Sequence, residues 1–404
     1  MRLILKILKI SFYIFTSVVI LGLLTVYVGH KFIYPVPYSE VTTIDDIQEN
    51  GFCFGVNCQN APVTAEDFIP VFAKQIKNYN KIAPELWPDN HLVNMSAVVQ
   101  SIENNKIWFV SADGEVRSLT KRELKEICPV RPRYNIGFAP FENDTVKGVY
   151  LALSEDGLKN VLEYQKYQYL GTYDLLLTFN HEMFHMTEQD KNWAYPEKIE
   201  NRSRNSRIED TDSRIERMLI FRQILEAYTA ETTEERDSMI LQLLSNYQYY
   251  KENHNDDYKA AKYFDRIEGT AHYYEIASSL YSAYPEQVYS EETLTKALKV
   301  LAKSKYKKPY EAPGLDSESY FIGAWTGFLL DEIQENNKQW KIEIIQNPDL
   351  TPLEILAQIY DGKSLPPPVK PSKELEDEVK KSIEEKNNQK VAPDIFRMLY
   401  QLIF

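Results

Sequence analysis

Hydrophobic and polar positions follow two different periods along the chain. Between residues 96 and 120, apolar and polar side chains alternate over short runs rich in β-branched and aromatic residues, a pattern typical of strands. Asn104–Asn105 and Asp113–Gly114 separate these runs, and such pairs favour tight turns. Two more strand candidates follow at 134–141 and 148–154. The pattern therefore predicts a small sheet that begins with a β-meander.

The period becomes helical from about residue 156 and stays so for most of the chain. Apolar residues recur at three- and four-residue spacing in the segments 173–189, 207–229, 233–252, 257–283, 291–305 and 318–335. A shorter amphipathic helix is predicted at 64–82, ahead of the sheet. The predicted fold class is therefore α+β, with a modest sheet followed by a mainly helical body.

An uncharged run of 19 residues, from Ile10 to Val28, precedes all of these elements. A helix of that length is about long enough to cross a hydrocarbon core of roughly 30 Å. Arg2, Lys6 and Lys9 lie before it, which favours a cytoplasmic N-terminus and a body on the far side of the membrane. A cleaved signal peptide is the alternative, but no small-x-small cleavage site follows the run. We therefore expect a single-pass anchor and a periplasmic or cell-surface body.

Composition predicts the remaining boundaries. Residues 1–31 are assigned to the cytoplasmic stub and anchor, and 32–62, rich in Pro, Asn and Gly, to a stalk. The small α/β region takes 63–155 and the helical body takes 156–362. A Pro-rich linker and a charged helix with little apolar face, which we expect to be solvated, make up 363–404.

The spacing of two cysteines is compatible with a body that is exported from the cytoplasm. Cys53 and Cys58 are close enough in sequence to form a disulfide after export, whereas Cys128 stands alone. Free thiols, or half of a metal site, would give the same spacing.

Charge argues against one class of partner. The chain carries 46 Lys and Arg against 59 Asp and Glu, a net charge of −13. Residues 1–31 hold four of the basic residues and no acidic one, so the rest of the chain carries −17. A body this acidic repels phosphate backbones, and nucleic acid is not an expected partner.

The main chemical signal is His181-Glu182-Met183-Phe184-His185, within the predicted helix 173–189. On a helix, positions i and i+4 share one face, so both imidazoles can bind one zinc ion at about 2.0 to 2.1 Å. Glu182 lies beside them and can take a proton from an attacking water. Two histidines that bind no metal, next to a glutamate on a helix, would give the same sequence motif.

A third protein ligand is expected, because catalytic zinc commonly takes three and leaves one position open. Glu268 is the preferred candidate, since the small residues Gly269 and Ala271 would let its helix approach the HExxH helix closely. Glu226 and Glu275 are rivals that lack such small neighbours.

Other side chains near Glu268 could assist. His272 lies one turn further on the same face and is predicted either to support a ligand or to stabilise the oxyanion. Tyr273 and Tyr274 are expected in the core or lining a groove, unless one donates to the reacting carbonyl. The run Ser319–Gly327 predicts close helix packing beneath the site, although Tyr320 could face the cleft.

An HExxH motif followed by a later helix with a glutamate resembles the gluzincin group of zinc metallopeptidases. The segment EGTAHYYE is similar to the EGxA helix of several membrane-anchored or exported members. The resemblance covers roughly 170 to 335. It implies a zincin-like body with zinc ligands His181, His185 and Glu268 and with Glu182 as the general base.

The chain departs from the group at two points. In thermolysin-like members an aspartate four residues after the ligand glutamate orients a zinc histidine, whereas His272 holds that place here. The interval between His185 and Glu268 is also long, and the helical pair at 207–252 could fill it as an inserted hairpin.

These observations predict a membrane-anchored, extracytoplasmic peptidase that uses Zn²⁺ to hydrolyse peptide or protein substrates. One strand of the sheet could pair with an extended substrate. A catalytically inactive envelope scaffold or binding protein is the alternative, and a metal hydrolase for a non-peptide bond is a third. Specificity and oligomeric state are not predicted.

Overall fold

The computed structural model is mainly helical and carries a small sheet, which confirms the predicted α+β class. The described residues are 9, 13, 15–25, 47–54, 64–88, 90–101, 104–128, 138–153, 170, 172, 174–193, 210–305, 315–334 and 338–388. The strands are β1 (Ile47–Glu49), β2 (Phe52–Phe54), β3 (Met95–Ser101), β4 (Ile107–Val110), β5 (Val116–Ser118), β6 (Phe138–Glu142) and β7 (Lys147–Leu153).

The helices of the body occupy the predicted segments and several others. They are α1 (Ala65–Leu86), α2 (Lys121–Ile127), α3 (Asp174–Phe184), α4 (Asp190–Asn192), α5 (Thr211–Thr229), α6 (Thr233–Asn253), α7 (Asn255–Ala283), α8 (Glu291–Lys305), α9 (Leu315–Ile333), α10 (Gln339–Gln346), α11 (Pro352–Ile359) and α12 (Lys373–Asn388). A π-helical turn, His185–Gln189, follows α3 directly.

The N-terminal segment is described only in part. Within the predicted membrane run, residues 13 and 15–25 are described as helical, and its other positions lie outside the described residues. None of the helices formed by described residues is both long and apolar enough to cross a bilayer. The chain divides into two compact units, of which Thr42–Ile383 contains the sheet and the site helices.

The sheet has five strands in the order β5-β4-β3-β7-β6. Strands β3, β4 and β5 form the predicted antiparallel meander, and its turns use the positive φ angles of Asn105 (56°) and Gly114 (84°). Strand β7 pairs in parallel with β3, and β6 pairs antiparallel with β7. This places β6 at one edge of the sheet.

Alternation along the strands divides their side chains between two cores. Val99 and Leu151 face the main core, which they share with helix α1, while Val98 and Tyr150 face a smaller core. Leu124 of the short helix α2 belongs to this smaller core. The sheet is therefore covered on both faces, and α3 packs in the main core.

Helix α7 crosses α9 at very short distance. A Cβ atom added at Gly269 would lie 2.6 Å from the Cα of Gly323, and one added at Gly323 would lie 2.4 Å from the carbonyl oxygen of Asp265. Only glycine fits both positions at this crossing. The predicted close approach of the Gly269 surface to the HExxH helix is therefore wrong, since that surface contacts α9.

The helical pair expected as an insertion is built into the core. Arg217 of α5 is buried, with its guanidinium 2.6 Å from Asp265 of α7 and 2.9 Å from the hydroxyl of Ser319 in α9. Asp265 lies one turn before Glu268. The α5 helix thus helps to fix the part of α7 that carries the predicted third ligand.

A hairpin occurs within the predicted stalk. Strands β1 and β2 pair antiparallel, and the buried Phe54 ring contacts the edge of Tyr284 at a centroid distance of 4.9 Å. The backbone N–H of Cys53 donates to Gln287 at 2.6 Å. Cys53 is disulfide-bonded and Cys128 is a buried thiol outside any disulfide, whereas Cys58 lies outside the described residues. Residues 47–54 therefore pack on the body.

The C-terminal segment is also packed, contrary to the predicted linker and solvated helix. The carbonyl oxygens of Pro366 and Val369 accept hydrogen bonds from Ser245 and Asn246 of α6, at 2.6 and 2.7 Å. Helix α12 has an apolar stripe that lies in the main core, formed by Leu375, Val379 and Ile383. The apolar residues of this stripe are four positions apart and are separated by charged residues. The high content of charged residues therefore led to the prediction of a solvated helix.

Candidate metal centre

Helix α3 holds the HExxH motif rigidly because its other face is in the main core. Phe179 and Met183 are fully buried, and the Asn180 amide donates to the hydroxyl of Ser279 in α7 at 2.7 Å. His181 is buried, and His185 is partly exposed at the start of the π turn. The two imidazoles therefore project together on the side of α3 that faces α7.

The structure brings His181, His185 and Glu268 to one point. Their potential ligand atoms all lie within 4.8 Å of one another. The Oε2 atom of Glu268 is 3.3 Å from Nε2 of His181 and 3.4 Å from Nε2 of His185, and the two Nε2 atoms are 2.9 Å apart. The three predicted ligands thus converge, whereas Glu226 is exposed and belongs to none of the potential metal-binding groups among the described residues.

Glu275 lies outside this cluster and forms a second potential metal-binding group with His181 and His272. Its Oε2 accepts from Nδ1 of His181 at 3.0 Å and from Nδ1 of His272 at 2.8 Å. Burial opposes ionisation of this carboxyl, but the two histidines outweigh burial and lower the pKa of Glu275 to about 2. An ionised carboxylate only accepts hydrogen bonds, so both histidines donate to it through Nδ1.

Two roles were predicted for His272, namely support of a ligand and stabilisation of the oxyanion. Its buried ring contacts Glu275, Tyr320 and Phe321, with ring centroids 5.6 and 4.8 Å from the two aromatic rings. From this position His272 can act on His181 only through Glu275, and this supporting role stays a prediction. Donation from His272 to a substrate oxyanion stays a prediction.

Glu182 is partly buried, and its carboxyl interacts electrostatically with His181, His185 and Glu268. Burial raises the pKa of its carboxyl, and the nearby His181 and His185 lower it by less, so the pKa lies above its usual value. A raised pKa suits a group that must take a proton and later return it.

The neighbouring tyrosines fall into two classes. Tyr273 and Tyr274 are in the core, where their hydroxyls donate to Asp331 at 2.5 Å and to Tyr79 at 3.1 Å. Tyr320 instead stacks on the His181 ring, with centroids 5.3 Å apart and planes 11° from parallel. Of the three, only Tyr320 belongs to the site, where it limits rotation of the His181 ring.

The donor set fits a zinc ion. Tetrahedral zinc with bonds of about 2.0 to 2.1 Å separates its ligand atoms by about 3.3 Å, close to the distances between Glu268 and the two histidines. Since Nδ1 of His181 donates to Glu275, Nε2 is the ring nitrogen left to bind a metal at the same point as the Glu268 oxygen. The two carboxylates favour positive charge there: burial lowers the pKa of His181, but Glu268 and Glu275 outweigh burial and raise it to about 10, so zinc would replace a proton on Nε2.

Two features of the site were not predicted. Sequence periodicity treats 173–189 as one regular helix and gives no sign of the π turn at His185–Gln189. Gln189 was consequently overlooked, although its side chain contacts His185. Glu275 was considered only as a ligand, because its contact with His181 depends on how α3 and α7 pack.

Comparison of the chain with protein-family models, with curated proteins and with solved structures gave no match. The functional argument therefore rests on the geometry of the site.

Proposed function

We propose that this protein is a zinc-dependent peptidase with a gluzincin-type site, anchored in a membrane by the uncharged run 10–28 and carrying its body outside the cytoplasm. One observation carries the proposal. His181, His185 and Glu268, from two different helices, direct their ligand atoms to a single point beside Glu182. An arrangement of three ligands with an adjacent carboxylate is the donor set of catalytic zinc sites that hydrolyse peptides.

The chain's own residues have separate tasks in the proposed reaction. His181, His185 and Glu268 would hold zinc, which when bound polarises a peptide carbonyl and promotes ionisation of water. Glu182 accepts the proton of the attacking water and delivers it to the leaving amine. Glu275 and Tyr320 keep the His181 ring in the orientation that directs Nε2 at the metal.

The position of the sheet edge favours a peptide as the substrate. Strand β6 forms one edge of the sheet, and its last residue, Glu142, pairs at 2.6 Å with Lys191, just after the site turn. An extended peptide can add to such an edge through main-chain hydrogen bonds, although Pro140 removes one donor from β6. This edge favours peptides over substrates without a backbone.

Replacement of Glu182 by Gln tests the proposed mechanism. The amide cannot accept the proton, so we expect the variant to keep near one zinc per chain while its peptide hydrolysis falls by about 10²- to 10⁴-fold. Cleavage of a peptide library by zinc-loaded protein, read by mass spectrometry, measures this. Glu226→Gln removes an exposed helix acid on α5 and is the matched control, with parental cleavage expected.

Three outcomes contradict the proposal in different ways. Parental turnover in Glu182→Gln would remove Glu182 from the mechanism. A zinc-loaded parent that cleaves no peptide but hydrolyses simple esters would favour a hydrolase for a non-peptide bond. A zinc-loaded parent without any hydrolytic activity would favour the inactive scaffold.

A further inference from the structure

We infer that Gln189 is a positioning residue that couples the second histidine ligand to the helix carrying the third ligand, an inference that rests on the proposed zinc site. Gln189 ends the π turn, is fully buried and contacts both sides of the site. Nothing in the HExxH pattern assigns it a role.

The hydrogen bonds of Gln189 span two helices. Its Oε1 lies 2.5 Å from Nδ1 of His185. Its Nε2 donates to the carbonyl oxygen of Ile267 at 2.8 Å and to the hydroxyl of Thr270 at 2.9 Å. These two α7 residues flank Glu268. One side chain therefore connects the ligand His185 to the segment that presents the ligand Glu268.

The network fixes the orientation of the amide and the tautomer of the histidine. The Thr270 hydroxyl donates to the Arg266 carbonyl at 2.6 Å, so it accepts from Gln189. The Ile267 carbonyl can only accept, and both contacts therefore require the amide nitrogen of Gln189 on this side. Its oxygen then faces His185, which donates through Nδ1, so Nε2 is the ring nitrogen left to bind a metal.

This nitrogen faces the proposed metal position. Nε2 of His185 lies 3.4 Å from the Glu268 carboxylate and 2.9 Å from Nε2 of His181. Gln189 thus does for His185 what Glu275 does for His181, but with a neutral amide anchored on α7. Partners of this kind raise metal affinity because they hold the ligand ring in the binding orientation and tautomer.

The π turn explains how Gln189 reaches both partners. Such turns inside α-helices are rare and are found frequently at functional sites. Here the turn starts at the ligand His185 and ends at Gln189, and the backbone N–H of Asp190 bonds to the carbonyl of His185. The turn brings the Gln189 amide behind the imidazole while the amide still faces α7.

The test compares zinc affinity in variants that differ by one buried amide. Gln189→Met keeps the approximate volume and removes all three contacts, so we expect zinc to bind about 10- to 100-fold more weakly. Thr270→Val removes one acceptor for the amide and should weaken binding in the same direction by less. Chelator competition with zinc alone, on the full chain, gives the dissociation constants.

Gln223→Met is the matched control, because Gln223 is a buried glutamine on α5 that donates to Asn246 at 3.2 Å. We expect it to lower the melting temperature of the zinc-free protein about as much as Gln189→Met does, with parental zinc affinity. In zinc-loaded, histidine-labelled protein, the exchange-protected Nδ1–H signal of His185 should be lost in Gln189→Met alone.

The outcomes separate this inference from the proposed function. If the parent binds no zinc, the proposed function fails. If the parent binds zinc and both Gln189→Met and Thr270→Val bind it as tightly, the coupling role of Gln189 is wrong while the zinc site stands. If Gln189→Met does not fold, the Thr270→Val result decides.

Discussion

At the scale of single residues, the site has two layers. The inner layer is the cluster of potential metal ligands, and the outer layer consists of side chains that hold the ligand rings in one orientation. The Glu275 carboxylate accepts from both His181 and His272, so its charge lies one imidazole away from the proposed metal. Thermolysin-like gluzincins place an orienting aspartate four residues after the ligand glutamate, and here Glu275 lies seven residues after Glu268. In the proposed gluzincin-type site, the orienting carboxylate would lie one helical turn further along α7.

Replacement of Glu275 by Gln should weaken zinc binding without removing it. The amide oxygen can still accept from His181, but the negative charge that makes His181 a stronger ligand is lost. We expect about a tenfold increase in the zinc dissociation constant, measured by chelator competition. His272→Phe leaves the Glu275 charge in place and should change zinc affinity less. An unchanged affinity in Glu275→Gln would show that Glu275 does not act on the metal through His181.

Sequence reasoning was strongest for the residues that bear chemistry on a regular helix. The HExxH spacing singled out His181, His185 and Glu182, and the small residues after Glu268 led to the predicted third ligand, although Gly269 faces α9 rather than the HExxH helix. Gly269 serves the contact between α7 and α9, and Glu268 reaches the histidines because the next positions fix α7 in place. Gln189 could not be predicted, because a π turn shifts the residues after His185 out of the α-helical register.

At the scale of secondary-structure elements, the α7–α9 crossing sets the position of Glu268. Gly269 follows the ligand directly, and its backbone lies against Gly323 with no room for a side chain. Tyr320, one turn before Gly323, reaches the His181 ring from α9. The same crossing therefore positions the proposed ligand Glu268 on α7 and, on α9, the ring that stacks on the proposed ligand His181.

Gly323→Ala should damage both stability and metal binding. The new methyl group would lie 2.4 Å from the Asp265 carbonyl oxygen and 2.5 Å from Gly269, both backbone positions that cannot move independently. We expect a loss of about 3 kcal/mol in the free energy of unfolding, and weaker zinc binding as Glu268 is displaced. Thermal and denaturant unfolding of the full chain would measure the first effect.

The matched control is Gly22→Ala, because a Cβ atom added at Gly22 meets no atom within 4 Å. It should leave the unfolding of the body unchanged. A Gly323→Ala variant with parental stability and zinc affinity would mean that the two helices separate at little cost, and that their close crossing does not set the site.

Elements were predicted well where apolar residues repeat over many turns and poorly where they do not. The long helices α5, α6 and α7 lie within a few residues of their predicted bounds. The short helices α10 and α11 and the three-residue strands β1 and β2 were missed. Segments of this length show at most two repeats of any period, and tertiary packing decides their conformation.

At the scale of the whole molecule, the compact unit Thr42–Ile383 includes segments that composition assigned to a stalk and a linker. Proline, asparagine and charge suggested exposed connections at both ends of the body. The buried Phe54 at one end, and Leu375 at the other, instead extend the main core. A few well-spaced apolar residues thus outweighed an otherwise polar composition.

Leu375→Ala tests whether the C-terminal segment belongs to the folded body. Leu375 is 1% exposed, so truncation should leave a cavity and cost about 2 to 4 kcal/mol of unfolding free energy. Val369→Ala, in the same segment at 44% exposure, is the matched control and should change stability by less than about 0.5 kcal/mol. If both variants changed the unfolding free energy by the same small amount, the segment would be a solvated linker as first predicted.

Metal content tests the central claim most directly. We would load the chain from residue 32 with zinc, remove loosely bound metal by dialysis, and determine zinc per chain by elemental analysis in the parent, His185→Ala, Glu268→Ala and Glu226→Gln. The account predicts near one zinc per chain in the parent and in Glu226→Gln, and loss of zinc in the other two variants while the fold, judged by circular dichroism, persists. A folded parent without zinc, or a Glu268→Ala variant that binds zinc as the parent does, would contradict it.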